Sequence, residues 1–229
     1  MSKLIIANFK MNGTKSSIQE WFNVFSEENS GSNKIIVALP SPFLADFTSF
    51  RISIASQNVS SYDSGAFTSQ ISAEMLKDCN INYSIIGHSE SRKFLKETDE
   101  DIFNKYNQLI KHSIKPIICI GEPLDVRENS SFLDFIVKQL ESFKDIKDEL
   151  IIAYEPIWAI GSGLVPSIAD INEVSKLIKE QCRNAKVLYG GSVNKENASN
   201  LLNNSNIDGV LVGGASLDPK EFANIAQSC

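Results

Sequence analysis

The chain alternates short apolar runs with longer stretches in which apolar residues return every three or four positions. The short runs are Lys3–Ala7, Lys34–Leu39, Ile52–Ser56, Tyr83–Gly87, Pro116–Ile120, Leu150–Tyr154, Lys186–Gly190 and Gly209–Val212. They are rich in Ile and Val and lack polar alternation, the pattern of strands buried on both faces. Between them, Ile18, Trp21, Phe22 and Phe25 fall on one helical face, as do Ile102, Tyr106, Leu109 and Ile110. Phe132, Ile136, Val137 and Leu140 repeat the spacing, and so do Ile171, Val174, Leu177 and Ile178. Such stripes predict helices packed on a sheet.

Eight strand–helix alternations admit an open doubly wound sheet or a closed barrel. The count of eight favours an α/β fold of the closed (β/α)8 TIM-barrel type, with eight parallel strands. No Gly/Ser linker, composition break or repeated motif divides the chain, so residues 1–229 read as one barrel domain. Its 229 residues fall below the ~250 typical of this barrel, which predicts trimmed loops and helices.

A barrel of this kind carries its chemistry just after the C-terminal ends of its strands. Asn8-Phe9-Lys10-Met11-Asn12-Gly13 follows the first strand and Gly87-His88-Ser89-Glu90 the fourth. Glu155 follows the sixth, Gly190-Gly191-Ser192 the seventh and Gly213-Gly214 the eighth. An amine, an imidazole, a carboxylate and two glycine pairs therefore point at one mouth. Singly, each has a plainer reading: a solvated lysine, a structural histidine, a surface acid, a tight turn. Their convergence reverses the balance.

Glu155 precedes Pro156, and Gly161-Ser162-Gly163 comes shortly after, an arrangement that suits a general base under a lid. The glycine pairs stand after the last two strands, where this fold often binds phosphate, and Ala215-Ser216-Leu217 could add a helical turn facing an anion. Glu155 is then placed to remove a proton from carbon, with Lys10 and His88 near the oxygen that gains charge. A helical turn starting at His88 predicts a lowered pKa and a neutral imidazole donor. Glu90 reads as a structural partner of the residues after the first strand, and His112 as a solvated or helix-terminal residue.

Net charge is −6 and the pI about 5.1, with no basic run, so no nucleic-acid surface is expected. The first apolar run stops at Asn8-Phe9-Lys10, too soon for a signal peptide or a membrane span, which favours a cytoplasmic protein. Cys79, Cys119, Cys182 and Cys229 are scattered, without a CxxC, and read as reduced thiols; no metal site is expected. Neither GxGxxG nor GxxxxGK[ST] occurs, so no nucleotide cofactor is expected.

Together, Asn8–Gly13, Ile86–Glu90, Cys119–Glu122, Ala153–Gly163, Leu188–Val193 and Asp208–Leu217 resemble triosephosphate isomerase, in order over nearly the whole chain. The resemblance implies interconversion of dihydroxyacetone phosphate and D-glyceraldehyde 3-phosphate through an enediol(ate), in glycolysis and gluconeogenesis, with neither cofactor nor metal. It implies Glu155 as base, His88 as neutral electrophile and Lys10 as the charge-stabilising lysine, with Asn8 beside it. Gly161, Ser192, Gly213 and Gly214 match phosphate-gripping positions. Glu90 is similar to an acid behind the site, and Cys119 to a structural cysteine near the base.

The resemblance also implies a homodimer, in which the loop Gly65–Ser72 inserts Thr68 beside the partner's active site. Departures are visible. Phe9 stands in place of the family's usual Trp, Ser69-Gln70 in place of Gly-Glu, and Ser91 in place of Arg. An acid and a base that can pair across the dimer are thus both missing, which predicts an interface of apolar and hydrogen-bond contacts there. Pro166 is expected to stiffen the lid's far hinge. Two rivals remain at this point: another phosphate-binding barrel enzyme, such as an aldolase with Lys10 as the candidate Schiff-base lysine or a sugar-phosphate isomerase of different specificity, and a silent binding barrel, against which intact Lys10, His88 and Glu155 argue.

Overall fold

Eight parallel strands pair in chain order, and the last closes onto the first, in a computed structural model that describes residues 2–29, 31–48, 52–129, 131–161 and 164–229. The strands are β1 (Leu4–Asn8), β2 (Lys34–Leu39), β3 (Ser53–Ser56), β4 (Tyr83–Ile86), β5 (Lys115–Ile120), β6 (Leu150–Tyr154), β7 (Ala185–Tyr189) and β8 (Gly209–Val212). The expected closed (β/α)8 barrel is what forms. Differences from the sequence reading are one residue at strand ends. Asn8 pairs with Ala38 and so extends β1, while Gly87 and Gly190 lie past the last paired residues of β4 and β7.

Both faces of each strand are covered, which accounts for the unbroken apolar runs. Ile6, Ile36, Ile85, Ile117, Ala153, Leu188 and Leu211 cluster inside the barrel. Their neighbours Ile5, Val37, Ile86, Ile118, Ile152 and Val187 belong to the layer under the helices.

Those helices are α1 (Lys15–Glu28), α2 (Ala73–Asp78), α3 (Ser89–Phe94), α4 (Asp99–Lys111), α5 (Leu124–Arg127), α6 (Phe132–Leu140), α7 (Ile168–Gln181), α8 (Ala198–Asn204) and α9 (Pro219–Ala226). Thr14, Thr98 and Ser167 start α1, α4 and α7 through reciprocal capping boxes, which satisfy backbone donors the helices leave unpaired. Along α1 the expected face is buried, with Trp21 stacked on Phe25 at 4.9 Å and meeting Phe9 edge-on at 5.3 Å. Ile102, Tyr106 and Leu109 of α4 are buried as expected, but Ile110 is 43% exposed. At 100° per residue it lies a quarter-turn round from Leu109, off the centre of the stripe.

The ends of α2 and α4 reverse the chain into β4 and β5. Asn80 and Ser113 adopt left-handed backbone, with φ of 58° and 56°. Ile81 N–H donates to Leu76 O and Ile114 N–H to Leu109 O, both at 2.9 Å, the closing bonds of Schellman caps. Buried Ile81 and Ile114 then lead straight into the strands. No helix among the described residues is long and apolar enough to cross a membrane.

Candidate active site

Closure of the barrel brings the predicted residues to one end. A cavity of about 340 Å³ is lined by Asn8, Lys10, His88, Glu155, Gly161, Ser192, Gly213 and Gly214, and also by Ile160, Asn194 and Leu211. Ser162 and Gly163, the rest of the expected lid glycine segment, lie outside the described residues. Gly214–Leu217 forms the short helical turn expected after β8.

Glu155 is 2% exposed, and both its carboxylate oxygens are engaged. Oε1 lies 3.1 Å from His88 Nε2, and Oε2 accepts the Ser89 N–H at 3.0 Å. Two glycines make room for it. A Cβ on Gly121 would fall 1.8 Å from the Glu155 carbonyl oxygen, and one on Gly190 would fall 2.9 Å from Glu155 Cγ. Glu155 N–H donates to Ile120 O at 2.7 Å, which prolongs the β6 edge by one residue and aims the side chain into the mouth.

His88 is the N-cap residue of α3, and its Nδ1 accepts the Glu90 N–H at 3.2 Å. The neutral ring therefore carries its proton on Nε2, facing Glu155. Burial pushes the His88 pKa down, but the charge of Glu155 and its hydrogen bond outweigh it, so the pKa lies above the ordinary value. The lowering expected from the helix end is thus reversed. α3 is only six residues long, whereas the carboxylate is in direct contact. Conversely, burial raises the Glu155 pKa, but His88 and then the Ser89 N–H outweigh it, and the carboxyl is held below its ordinary value.

Lys10 has φ of 51°, a left-handed conformation that lysine rarely adopts. The turn is held by Asn8 Oδ1, which accepts the Lys10 N–H at 3.0 Å, and by Gln57, which donates to Lys10 O at 2.9 Å. Lys10 Nζ meets Glu90 Oε1 at 2.6 Å. Cys119 is fully buried inside the barrel, and burial, reinforced by Glu155, drives its thiol pKa well up.

Of the residues that support the site, Arg92 had no motif to announce it, and the sequence assigned no role to Glu122, which closes the segment Cys119–Glu122. Arg92 donates to Gly87 O at 2.8 Å, to Cys119 O at 3.2 Å and to Asp99 at 2.6 Å, which clamps the turn that carries His88. Glu122 is wholly buried and accepts from Tyr154 Oη and Trp158 Nε1, each at 3.0 Å, at the start of the segment expected to form the lid. Ser192 Oγ donates to Ala159 O at 2.7 Å, tying the loop after β7 to the same segment. Trp21 Nε1 donates to Ser216 O at 2.9 Å, so a core residue also anchors the turn after β8. Pro166, at the segment's far end, is buried.

Thr68 does not line this mouth: it lies in an exposed loop. Beside it Ser69 has φ of 78°, a conformation that suits the glycine expected there from the resemblance. Gln70 Oε1 accepts from Ser60 Oγ within its own chain. His112 caps the C-terminal end of α4, 3.4 Å from Asp63. Among the described residues no group of His, Cys, Asp and Glu side chains could hold a metal ion.

A sequence model of the family described as Triosephosphate isomerase matches residues 3–229. The chain belongs to the triosephosphate isomerase family. It is similar to the triosephosphate isomerase of Mesomycoplasma hyorhinis, at 44% identity over 98% of each chain. It is 43% identical to that of Mesomycoplasma hyopneumoniae strain 232, again over 98% of each. Against the triosephosphate isomerase of Francisella philomiragia the identity is 41%, over 98% of this chain and 96% of the relative. Membership makes the chain an isomerase, and all but one of the segments that carry the resemblance, Cys119–Glu122 being the exception, contribute residues that line the mouth of the barrel.

Proposed function

We propose that this isomerase interconverts dihydroxyacetone phosphate and D-glyceraldehyde 3-phosphate by cofactor-free proton transfer through an enediol(ate), in cytoplasmic glycolysis and gluconeogenesis. The observation that carries the reading is one cavity that joins an ionised carboxylate, an imidazole, an ammonium and the glycine-rich turns after β7 and β8. The phosphate is received at Gly161, Ser192, Gly213 and Gly214, where backbone donors and the short helical turn offer partial positive charge. That end of the cavity sets the reach of the triose carbons toward Glu155.

Glu155 removes the carbon-bound proton. Its depressed pKa keeps it ionised at neutral pH, and burial keeps it poorly hydrated. At rest His88 gives its one Nε2–H to Glu155, so that contact is exchanged as substrate enters, while the carboxylate keeps lone pairs beyond its resting contacts to take the proton. His88, with its proton on Nε2, donates to the substrate oxygen as negative charge grows, and Lys10 Nζ supplies a fixed cation beside it, with Asn8 holding the lysine turn. Glu90 and Cys119 act by positioning Lys10 and packing under Glu155. The functional unit is a homodimer, with Thr68 reaching the partner's mouth.

Interconversion of the two triose phosphates in a coupled assay tests this. Glu155→Gln is expected to lower turnover by roughly 10²–10⁴-fold, the range for loss of a general base. Equal turnover in the two proteins would sink the assignment of the base. A wild type that binds 2-phosphoglycolate yet converts nothing would leave a phosphate-binding barrel without this chemistry.

A further inference from the structure

The opposite, N-terminal end of the barrel is floored by charge. Inward positions recur every second residue along a strand, so the alternation that buries Ile36, Ile117 and Leu188 inside the barrel also brings Lys34, Lys115 and Lys186 to its floor. With Lys3 they line a cavity of about 510 Å³ that is backed by Leu4, Tyr83 and Ile151. Four lysines face two carboxylates there, Glu149 and Asp208, in a chain whose net charge is −6.

Both carboxylates are already engaged. Glu149 meets Lys186 at 2.9 Å, and Asp208 meets Lys179 at 2.9 Å while accepting the Val187 N–H at 2.8 Å. Lys3 Nζ is used by Ile207 O at 2.6 Å. Lys34 Nζ instead rests on Tyr83, 2.5 Å from its hydroxyl and 5.1 Å from the ring centre. Lys115 makes no side-chain hydrogen bond or ion pair among the described residues. Among the described residues the ammonium groups of Lys3, Lys34 and Lys115 therefore lack a carboxylate partner, and those of Lys34 and Lys115, which no backbone carbonyl engages, face one recess. The catalytic mouth, at the other end of the strands, shares no lining residue with it.

We propose that this floor is a second anion site, for a small molecule bearing a diphosphate or two phosphate groups. A recess with excess positive charge and apolar backing concentrates anions and strengthens their contacts. Two charged groups are required because β2 and β5 stand three strands apart round the barrel. A single phosphate bound by Lys34 leaves Lys115 uncompensated; a diphosphate spans toward both.

Inorganic pyrophosphate is the probe, and lysine acetylation followed by mass spectrometry is the readout. Pyrophosphate is expected to protect Lys34 and Lys115 several-fold, and inorganic phosphate to protect them less at equal ionic strength. Protection by sodium chloride equal to that by pyrophosphate would reduce the effect to screening and overturn the site. By calorimetry, Lys34→Gln/Lys115→Gln is expected to lose one pyrophosphate-binding event while its turnover matches the wild type. An unchanged titration in the double variant would also overturn it. The acetylation result stands on the wild type alone if that variant does not fold.

Discussion

Gly190 and Glu155 show how closely single residues are matched in the mouth. The missing Cβ of Gly190 is what admits Glu155 Cγ. Gly190→Ala is expected to displace the carboxylate and lower kcat by about 10- to 100-fold, since sub-ångström to 1 Å misplacement of a reacting group carries costs of that order. Steady-state kinetics check it; an unchanged kcat would show that the base finds its position without this gap. The His88–Glu155 contact makes a second residue-scale prediction. Glu155 is held below its ordinary pKa, so its contribution to stability is present above about pH 4.5 and lost as pH falls through the lowered value. His88 is held above its own, so its contribution is present below about pH 6.5 and lost as pH rises through the raised value. The margin of wild type over Glu155→Gln in thermal unfolding is therefore expected to be greatest between about pH 4.5 and 6.5 and to narrow on both sides. A margin independent of pH would mean that the pair gives no net stabilisation.

At the scale of elements, the strands were legible because both faces are covered, and the amphipathic helices because one face is. Boundaries moved by a residue where pairing in the sheet, and not local composition, decides the last bond, as with Asn8. The left-handed cap of α4 was not legible, since serine does not announce that conformation. Ser113 carries a Cβ that left-handed backbone disfavours by roughly 1–2 kcal/mol, partly offset by the greater unfolded-chain entropy of glycine. Ser113→Gly is therefore expected to stabilise the fold by about 0.5–1 kcal/mol, read as a higher midpoint in urea with an unchanged slope. A lower midpoint would show that Ser113 makes compensating contacts.

At the scale of the whole molecule, the proposed homodimer has a physical motive. Met11 is 95% exposed, and Tyr62 and Phe67 stack on each other at 3.9 Å while half and a third exposed. Tyr62 and Leu95 share a recess with Ser69 and Gln70. Apolar surface of this kind on the loops after β1, β3 and β4 is costly in water and suits burial against a second copy. Sedimentation at micromolar concentration is expected to give a dimer, shifted toward monomer by Phe67→Glu. A monomeric wild type would refute it. The absence of the acid–base pair expected at Gln70 and Ser91 leaves no charge there to be buried without its partner.

By itself, the sequence determined the strand and helix order, the barrel, and which of its residues gather at one end of it, because periodicity and the position of a residue just past a strand are local properties. Lys10, His88, Glu155 and the glycine pairs were readable on that ground. Only the tertiary structure decided how they bear on one another. The direction of the His88 pKa depends on a carboxylate sixty-seven residues away in the chain, in contact at 3.1 Å. The clamping by Arg92, the burial of Glu122 and the lysine floor likewise arise when separate strands are brought side by side. Electrostatic energies depend on distance and burial, and neither exists until the barrel closes.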